Sequence, residues 1–374
     1  MRIGIDAVPF AFEQAGIGRY LGNVLEEMYL LDPDVEFLLY SPLPVSLPMR
    51  TGNWKLRITP RGLARRPSIW AQVILPSLLA SDKVDCFWSQ PTNLPIFLKR
   101  PCFRVLTVHD LVPYEKPKSM RLRALFRMRV MLGREARKAD VVIADSQATA
   151  LQASHYLRIP RDRVRVVYAA APSWCQPMPR GAARNVVSVA YGLAQEYVLC
   201  VGTVEPRKDH MTLLRAVDSV PGIPLLVIAG GRGWRSRRIV DQIRAHEISG
   251  RVRYIGRVDD SLLPALYSAA KLSVYPSVYE GFGLPVLESM ACGCPVLSSD
   301  SSCLPEVGGT AARYFRTGDA VSLAEALTGL LANQSELAEM SEAGLARART
   351  FSFRRAAEQL LEVIREGVGV SMTR

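Results

Sequence analysis

Short β-branched segments alternate with longer helix-like stretches along most of the chain, and this alternation restricts the fold more than any other feature. The predicted strands are "RIGIDA", "EFLLYSP", "CFWSQP", "FRVLTVHD", "DVVIADS", "RVRVVYAA", "YVLCVGT", "PLLVIAGG", "RVRYIGRV", "LSVYPSV" and "CPVLSSD". Helical spacing of apolar residues occurs between many of them, at 17–31, 120–138, 208–219, 236–247, 260–270 and 285–292. Apolar strands that alternate with helices are typical of parallel sheets with helices on their faces. The sequence therefore predicts an α/β fold.

Length and one interruption of the pattern predict two domains. A domain usually has roughly 100–200 residues, so two are expected in a chain of 374. The alternation pauses near 171–190, where Pro, Ala and Arg are frequent and periodicity is low, and it restarts at "YVLCVGT". We predict a first domain over 1–172, a linker over 173–190 and a second domain over 191–350. Residues 351–374 are predicted to form a C-terminal helix, and one alternative is that this helix packs back on the first domain.

Composition narrows the class of protein and of partner. Hydrophobic residues make up 49% of the chain, which is enough for full cores, and no apolar run reaches the length of a membrane span. The start, "MRIGIDAVPF", resembles a strand rather than a signal peptide, so a cytoplasmic location is expected. The seven scattered cysteines are expected to be reduced core residues rather than metal ligands. A net charge of +12 suits nucleic acid, a membrane surface or phosphorylated substrates, and the absence of a nucleic-acid-binding motif disfavours the first.

The stretch "EGFGLPVLESMACGCPV", residues 280–296, carries two carboxylates around a glycine-rich turn. Gly281 and Gly283 allow a ligand to approach the backbone, and the helix predicted to follow would direct free N–H groups at a phosphate. Glu280 and Glu288 could each accept from sugar hydroxyls, so the arrangement suits a nucleotide sugar, which has a phosphate between two polyols. The alternative is a helix cap together with a glutamate that stabilises the helix dipole.

Other candidates also follow predicted strands, where open parallel sheets bind ligands. Arg207 and Lys208 in "VGTVEPRKDH" suit a diphosphate, and the alternative is a solvated basic loop. Gly16 and Gly18 precede a helix predicted to begin near Arg19 and form either a phosphate-approach loop or a tight turn.

"VLTVHDLVPY" and "ADSQAT" also place polar residues directly after predicted strands. His109 could bind a substrate hydroxyl or be a structural histidine, and Ser146 is favoured as a helix cap. No D-x-D motif for a metal-held diphosphate follows a predicted strand, so we expect activity that does not depend on a metal cofactor.

These segments together resemble the retaining glycosyltransferases of the GT-B fold, family 4. The resemblance rests chiefly on Glu280 and Glu288, which match the E-x7-E motif of that family within "YEGFGLPVLESMACGCPVLSSDSSCLPEV". It extends over "GIGRY", "TVHDLVP", "ADVVIADS", "VGTVEPRKD" and "IGRVDDSLLPALYSAA", and so over nearly the whole chain. Within the family the sequence is most similar to bacterial mannosyltransferases of O-antigen and exopolysaccharide synthesis. The resemblance implies two Rossmann-like domains that face each other across a cleft, the first binding the acceptor and the second binding the nucleotide-sugar donor.

The resemblance also implies roles for individual residues. Glu280 would bind hydroxyls of the donor sugar, Glu288 the ribose, and His109 would lie beside the transferred sugar. The implied catalytic set is His109, Glu280, Lys208 and Arg207. The implied donor-binding set is Gly16, Gly18, Thr203, Arg207, Lys208, Val258, Glu280, Gly281, Phe282, Gly283, Leu284 and Glu288.

Thr203 stands where many members carry arginine, so Arg207 would have to supply that charge. Val258 would lie near the base of the nucleotide.

The function implied is transfer of an α-mannosyl group from GDP-mannose to a glycan or polyprenyl-diphosphate-linked acceptor in cell-surface polysaccharide synthesis. The alternatives are a UDP-sugar donor, a nucleotide-sugar epimerase, or a non-catalytic nucleotide-sugar-binding partner of another transferase. The E-x7-E stretch disfavours the epimerase.

Two basic segments could contact an anionic membrane from its cytoplasmic side. Residues 116–138 hold nine Lys or Arg against one Glu. The alternative for this segment is a helix with a solvated basic face, packed through Leu122, Leu125, Phe126, Val130 and Met131. The second segment contains Arg61, Arg65 and Arg66, beside Ile69 and Trp70.

Overall fold

The computed structural model describes residues 1–11, 16–47, 53–59 and 66–372. The chain divides into two compact units. The first unit comprises Met1–Tyr114, Arg121–Ala169 and Ser352–Arg374, and the second comprises Glu115–Met120 and Ala170–Phe351.

The first unit is built on a parallel sheet of seven described strands in the order β3-β2-β1-β4-β5-β6-β7. The strands are β1 (Arg2–Asp6), β2 (Glu36–Ser41), β3 (Trp54–Ile58), β4 (Cys86–Ser89), β5 (Phe103–Val108), β6 (Val141–Ala144) and β7 (Val164–Val166). The helices are α1 (Gly16–Leu31), α2 (Pro67–Val73), α3 (Leu75–Ser81), α4 (Val112–Glu115, at the border of the two units), α5 (Leu122–Lys138) and α6 (Gln147–Leu157). Strand order reverses between β1 and β4, and the carboxyl ends of such a pair border a ligand crevice in folds of this kind.

The second unit repeats this plan with six described strands in the order β10-β9-β8-β11-β12-β13. The strands are β8 (Tyr197–Val201), β9 (Leu225–Ala229), β10 (Val252–Gly256), β11 (Leu272–Tyr275), β12 (Val296–Ser299) and β13 (Arg313–Phe315). The helices are α7 (Arg180–Tyr191), α8 (His210–Ser219), α9 (Arg237–Ile248), α10 (Leu263–Ala269), α11 (Leu284–Ala291), α12 (Leu304–Gly308), α13 (Ala320–Ala332) and α14 (Gln334–Ala348). Its order reverses between β8 and β11, so the expectation of two Rossmann-like α/β units is confirmed.

The last helix, α15 (Phe353–Met372), belongs to the first unit and packs against α1. Its buried face includes Leu360 and Ile364, both fully buried, and Arg365 forms an ion pair with Asp32 at 2.5 Å. A Cβ on Gly367 would lie only 2.1 Å from the ring of Phe103 in β5, so a larger residue where this helix meets the sheet would displace that ring.

Several elements differ from those that the sequence predicts. The edge strands β3 and β13 were not expected, because they are short, carry Lys or Arg and bury few of their side chains. Part of the predicted linker is the helix α7, which packs against α10 and belongs to the second unit. Its buried side chains Ala183 and Val187 lie one turn apart, a pattern too sparse to predict a helix from sequence.

Two large apolar side chains of α5 are exposed. Leu122 is 82% exposed and Phe126 is 72% exposed, so the packing predicted for these two residues is wrong. They lie one helical turn apart, between the exposed arginines Arg121, Arg123 and Arg127.

The second basic segment is only partly described. Arg61 and Arg65 lie outside the described residues. Arg66 is exposed at the start of α2, whereas Trp70 is buried and its indole N–H donates to the hydroxyl of Thr59 at 2.9 Å. Trp70 therefore offers no surface to a membrane. Within the described ranges, no helix combines the length and the apolar character needed to cross a bilayer.

Candidate active site

Three charged side chains of the second unit meet in one buried cluster. Arg207 and Lys208 lie on a single 3-10 turn after β8, and Glu280 lies in the loop after β11. The ammonium of Lys208 is 2.7 Å from Glu280 Oε1, and the guanidinium of Arg207 is 2.6 Å from Glu280 Oε2. Lys208 also donates to the hydroxyl of Tyr275, at the end of β11. Because β8 and β11 are neighbours, the order of the sheet brings this cluster together at its carboxyl edge.

The electrostatics of the cluster fix the charge of Glu280. Burial alone would raise the pKa of this carboxyl, but the charges of Lys208 and Arg207 hold the pKa at about 2. Burial also lowers the pKa of the Lys208 ammonium, a shift that Glu280 opposes. Glu280 is therefore ionised at neutral pH, and its charge favours the protonated form of the neighbouring lysine.

Three serine hydroxyls hold the backbone of the loop that carries Glu280. Ser299 and Ser301 donate to the carbonyl oxygens of residues 277 and 278 at 2.5 and 2.8 Å. The hydroxyl of Ser302 donates to the carbonyl of Glu280 at 2.9 Å and accepts from its N–H at 3.0 Å. Since backbone groups inside a protein need partners, this "SSDSS" stretch fixes the position of the glutamate.

The glycine-rich turn after Glu280 leads directly into α11. Gly283 has φ +90°, and a Cβ there would lie 2.6 Å from Leu304, so only glycine fits without displacement. It is the N-cap residue of α11 and makes no side-chain capping bond, so the first N–H groups of the helix depend on other partners. Glu288 lies one turn into α11, is 5% exposed and accepts from the hydroxyl of Tyr267 at 3.2 Å.

A second glycine-dependent contact lies beside the cluster and was not predicted from the sequence. Gly230 follows β9 with φ +151°, and a Cβ on it would lie 2.0 Å from the carbonyl oxygen of Gly202. A Cβ on Gly233 would lie 2.6 Å from Thr203. These contacts hold the loops after β8 and β9 together, and the sequence signal for them is the run "AGGRG".

The remaining predicted residues are more dispersed. Thr203 is exposed in the loop before Arg207. Val258 is 8% exposed and packs in the core of the second unit, so its side chain is a packing group. In the first unit, α1 begins at Gly16 rather than near Arg19, which places Gly16 and Gly18 in the first turn of the helix. The reason for glycine at 18 is close approach, because a Cβ there would lie 3.2 Å from the carbonyl oxygen of Pro9.

In the first unit, His109 lies in a polar network at the carboxyl edge of the sheet. Its Nδ1 is 2.6 Å from Asp145 Oδ2, its Nε2 is 2.7 Å from Gln90 Oε1, and its ring stands edge-on to Tyr20. Burial lowers the pKa of His109, but the charge of Asp145 and its hydrogen bond outweigh burial and raise the pKa above its usual value. As the neighbours are placed, both ring nitrogens face acceptors, which suits the imidazolium form.

The partners of His109 were not predicted, although each follows a predicted strand. Asp145 precedes Ser146, whose predicted capping role is confirmed by a 3.0 Å bond from the N–H of Thr149. Gln90 follows β4, and its own N–H donates to Asp6 at the end of β1. Burial raises the pKa of Asp6 to about 6 despite the groups that donate to it.

Comparison with known proteins matches both halves of the chain to glycosyltransferase families. The family described as "Glycosyl transferases group 1" matches residues 190–347, and "Glycosyltransferase Family 4" matches residues 15–171. The chain is 33% identical over 288 residues to the O-antigen chain mannosyltransferase B of Escherichia coli, which covers 75% of this chain and 74% of that protein. The chain belongs to the group 1 glycosyltransferases. The family predicted from the E-x7-E motif is therefore confirmed.

Solved structures support the fold of this glycosyltransferase. A sucrose-phosphate synthase from Thermosynechococcus elongatus aligns with a TM-score of 0.79 at 19% identity, covering 98% of both chains. HepE of Anabaena in complex with UDP-glucose aligns with a TM-score of 0.75 at 17% identity, covering 98% of this chain and 100% of that one. At these identities the alignments show a shared GT-B fold.

The cysteines of this glycosyltransferase lie in its cores. All seven are buried and free, as expected for reduced core residues. Among the described residues, no group of three or more His, Cys, Asp or Glu side chains is arranged to hold a metal ion.

Proposed function

We propose that this glycosyltransferase moves an α-mannosyl group from GDP-mannose, with retention of configuration, to a glycan or lipid-linked acceptor in cell-surface polysaccharide synthesis. The observation that carries the donor site is the ionised Glu280 held between Lys208 and Arg207, three residues before the glycine that starts α11. The mannosyl assignment draws on similarity to the E. coli O-antigen mannosyltransferase.

Each group would have one task in the reaction. A lysine ammonium has three N–H donors, and the described contacts of Lys208 use two, toward Glu280 and Tyr275. The third would donate to the diphosphate, together with Arg207 and the N–H groups at the start of α11. Glu280 would accept from hydroxyls of the donor sugar and Glu288 from the ribose. The place predicted for His109, beside the transferred sugar, stays a prediction.

The transfer step needs no covalent participation by the enzyme. The bond between the anomeric carbon and the diphosphate oxygen breaks while the acceptor oxygen bonds to the same face of that carbon. The acceptor proton passes to the departing phosphate oxygen, so that the diphosphate leaves with the bonding electron pair. Positioning and stabilisation of the diphosphate charge would supply the catalysis, without a metal cofactor.

Thermal unfolding with GDP, UDP and ADP tests the donor first. A ligand at a hundred times its Kd stabilises a protein by about 2.7 kcal/mol, and we expect this effect with GDP alone, in EDTA. Selective stabilisation by UDP would refute the mannosyl donor, and no shift with any nucleotide would refute the donor site. Lys208→Met is the matched control and should lose the shift. Release of mannose-bearing product, rather than an epimerised sugar nucleotide, separates transfer from epimerisation.

We also propose that α5 brings the enzyme to the cytoplasmic face of an anionic membrane. The exposed pair Leu122 and Phe126 would enter the interface while the surrounding arginines contact lipid phosphates. Flotation with anionic vesicles should be lost in the double variant Leu122→Ser/Phe126→Ser and kept in Val189→Ser, which changes a side chain that is 91% exposed on α7. Equal flotation of both variants would refute the contact.

A further inference from the structure

A cavity of about 500 Å³ lies within the second unit, next to the ion cluster. One wall is the segment 115–119, and the other is formed by Pro206, Arg207, Arg235 and Val278. Arg207 belongs to the ion cluster, and the N–H of Val278 donates to the carbonyl of Arg207. Because both residues line the cavity, a ligand there would lie close to the donor site.

The walls of the cavity are rich in cations. Lys116, Lys118, Arg207 and Arg235 line it, against the single carboxylate of Glu115. Arg207 is already neutralised by its two glutamate partners. Within the described part of the chain, no salt bridge joins the other three cations to a carboxylate, so the cavity has positive charge to offer an anion.

Backbone contacts hold these cations in place. Arg235 donates to the carbonyl oxygen of Lys118, which ties the segment 115–119 to the loop after β9. Arg235 has φ +54°, a conformation that non-glycine residues adopt at some energetic cost and that is frequent at ligand sites. The N–H and the hydroxyl of Ser119 both donate to the carbonyl of Lys116, at 2.9 and 2.6 Å, which closes the segment into a tight turn.

The cavity also has an apolar side, and the chain leads from it to the exposed helix. Pro117, Pro206 and Val278 present carbon surface beside the cations. The segment is followed within three residues by Leu122, the first of the two exposed apolar side chains of α5. We propose that this cavity binds the phosphate or diphosphate that joins a lipid to the acceptor, with the first carbons of the lipid against the prolines. This inference rests on the proposed function, because it names the acceptor class of the same reaction.

Calorimetric titration of farnesyl diphosphate into the full chain, with GDP saturating the donor site, tests the proposal. We expect farnesyl diphosphate to bind under these conditions, and farnesol and inorganic pyrophosphate to bind at least about 5-fold more weakly. The double variant Lys116→Gln/Lys118→Gln should weaken binding about 5-fold, since exposed charge contacts contribute up to about 1 kcal/mol each. Arg235→Gln should weaken binding by more, because this substitution also removes the hydrogen bond that ties the segment 115–119 to the loop after β9. Arg238→Gln, which changes an exposed arginine of α9 outside the cavity, should have no effect.

Each contrary result has a separate meaning. Displacement of farnesyl diphosphate by GDP would show that it occupies the donor site and would overturn the proposal. Equal binding of pyrophosphate would overturn the lipid part, and unchanged binding in all the lysine and arginine variants would overturn the site. If GDP itself fails to bind, the donor assignment fails, whereas binding of GDP without farnesyl diphosphate refutes the cavity alone.

Discussion

Removing either side of the Lys208–Glu280 pair should have unequal effects on stability. Glu280→Gln leaves two cations side by side, and only Arg207 retains a carboxylate, that of Glu205 at 2.8 Å. Lys208→Met leaves Glu280 still paired with Arg207 at 2.6 Å, while the methionine fills the space of the lysine stem. The two substitutions therefore differ in whether an uncompensated buried charge remains.

The magnitudes follow from that difference. Breaking a buried ion pair so that one charge is stranded costs about 3–5 kcal/mol, which we expect for Glu280→Gln. Lys208→Met leaves the hydroxyl of Tyr275 without its donor, at a cost of about 1–2 kcal/mol. For a unit of this size, 1 kcal/mol corresponds to about 2–4 °C in Tm. The second unit should therefore melt about 10 °C lower in Glu280→Gln and about 5 °C lower in Lys208→Met.

Differential scanning calorimetry measures this directly, and hydrogen exchange in β8 and β11 assigns the transition to the second unit. Glu325→Gln, on the exposed side of α13, is the control for loss of a carboxylate and should leave Tm unchanged. Both site variants should lose sugar transfer. If Lys208→Met were destabilised as much as Glu280→Gln, Arg207 would not be compensating Glu280, and the shared-charge account would be refuted.

Three further outcomes are expected. Since the pKa of Glu280 is lowered to about 2, its ionised carboxylate contributes about 3 kcal/mol to the free energy of unfolding above pH 4.5, and this contribution is lost as pH falls toward 2. The melting temperatures of the wild type and of Glu280→Gln should therefore converge in acid. Parallel curves of melting temperature against pH would contradict this. Asp145→Asn should lower the pKa of His109, as followed by NMR titration of the imidazole, and an unchanged pKa would exclude the ion pair as its cause. Gly230→Ala should prevent folding of the second unit because its Cβ would meet backbone, whereas Gly231→Ala, with nothing within 4 Å, should fold; equal yields of soluble protein would refute the close approach.

The sequence predicted the fold because each unit repeats one local pattern, a buried strand followed by a helix. It also placed Glu280, Lys208 and His109 at strand ends, where the sheet topology locates them. It could not predict the contact of Lys208 with Glu280, because these residues are 72 positions apart and meet only when β8 and β11 pair.

The features that were not predicted from the sequence share a physical cause. The helix α7 depends on packing against α10, and the exposure of Phe126 depends on what α5 leaves uncovered, so neither is encoded in local periodicity. The hydrogen-bond partners of His109 come from two different strand ends, those of β4 and β6. Such contacts are set by tertiary arrangement, which overrides local preference.

The return of α15 to the first unit has a consequence for how the protein is made and engineered. The surface of α1 that α15 covers stays open until the chain has been synthesised through the second unit, so the first unit cannot complete its fold before then. Apart from Glu115–Met120, the second unit is thus an insertion into the first, with junctions near residues 169–170 and 351–352. A chimera that exchanges the second unit should be joined at both positions, because a single crossover would pair α1 with a foreign terminal helix.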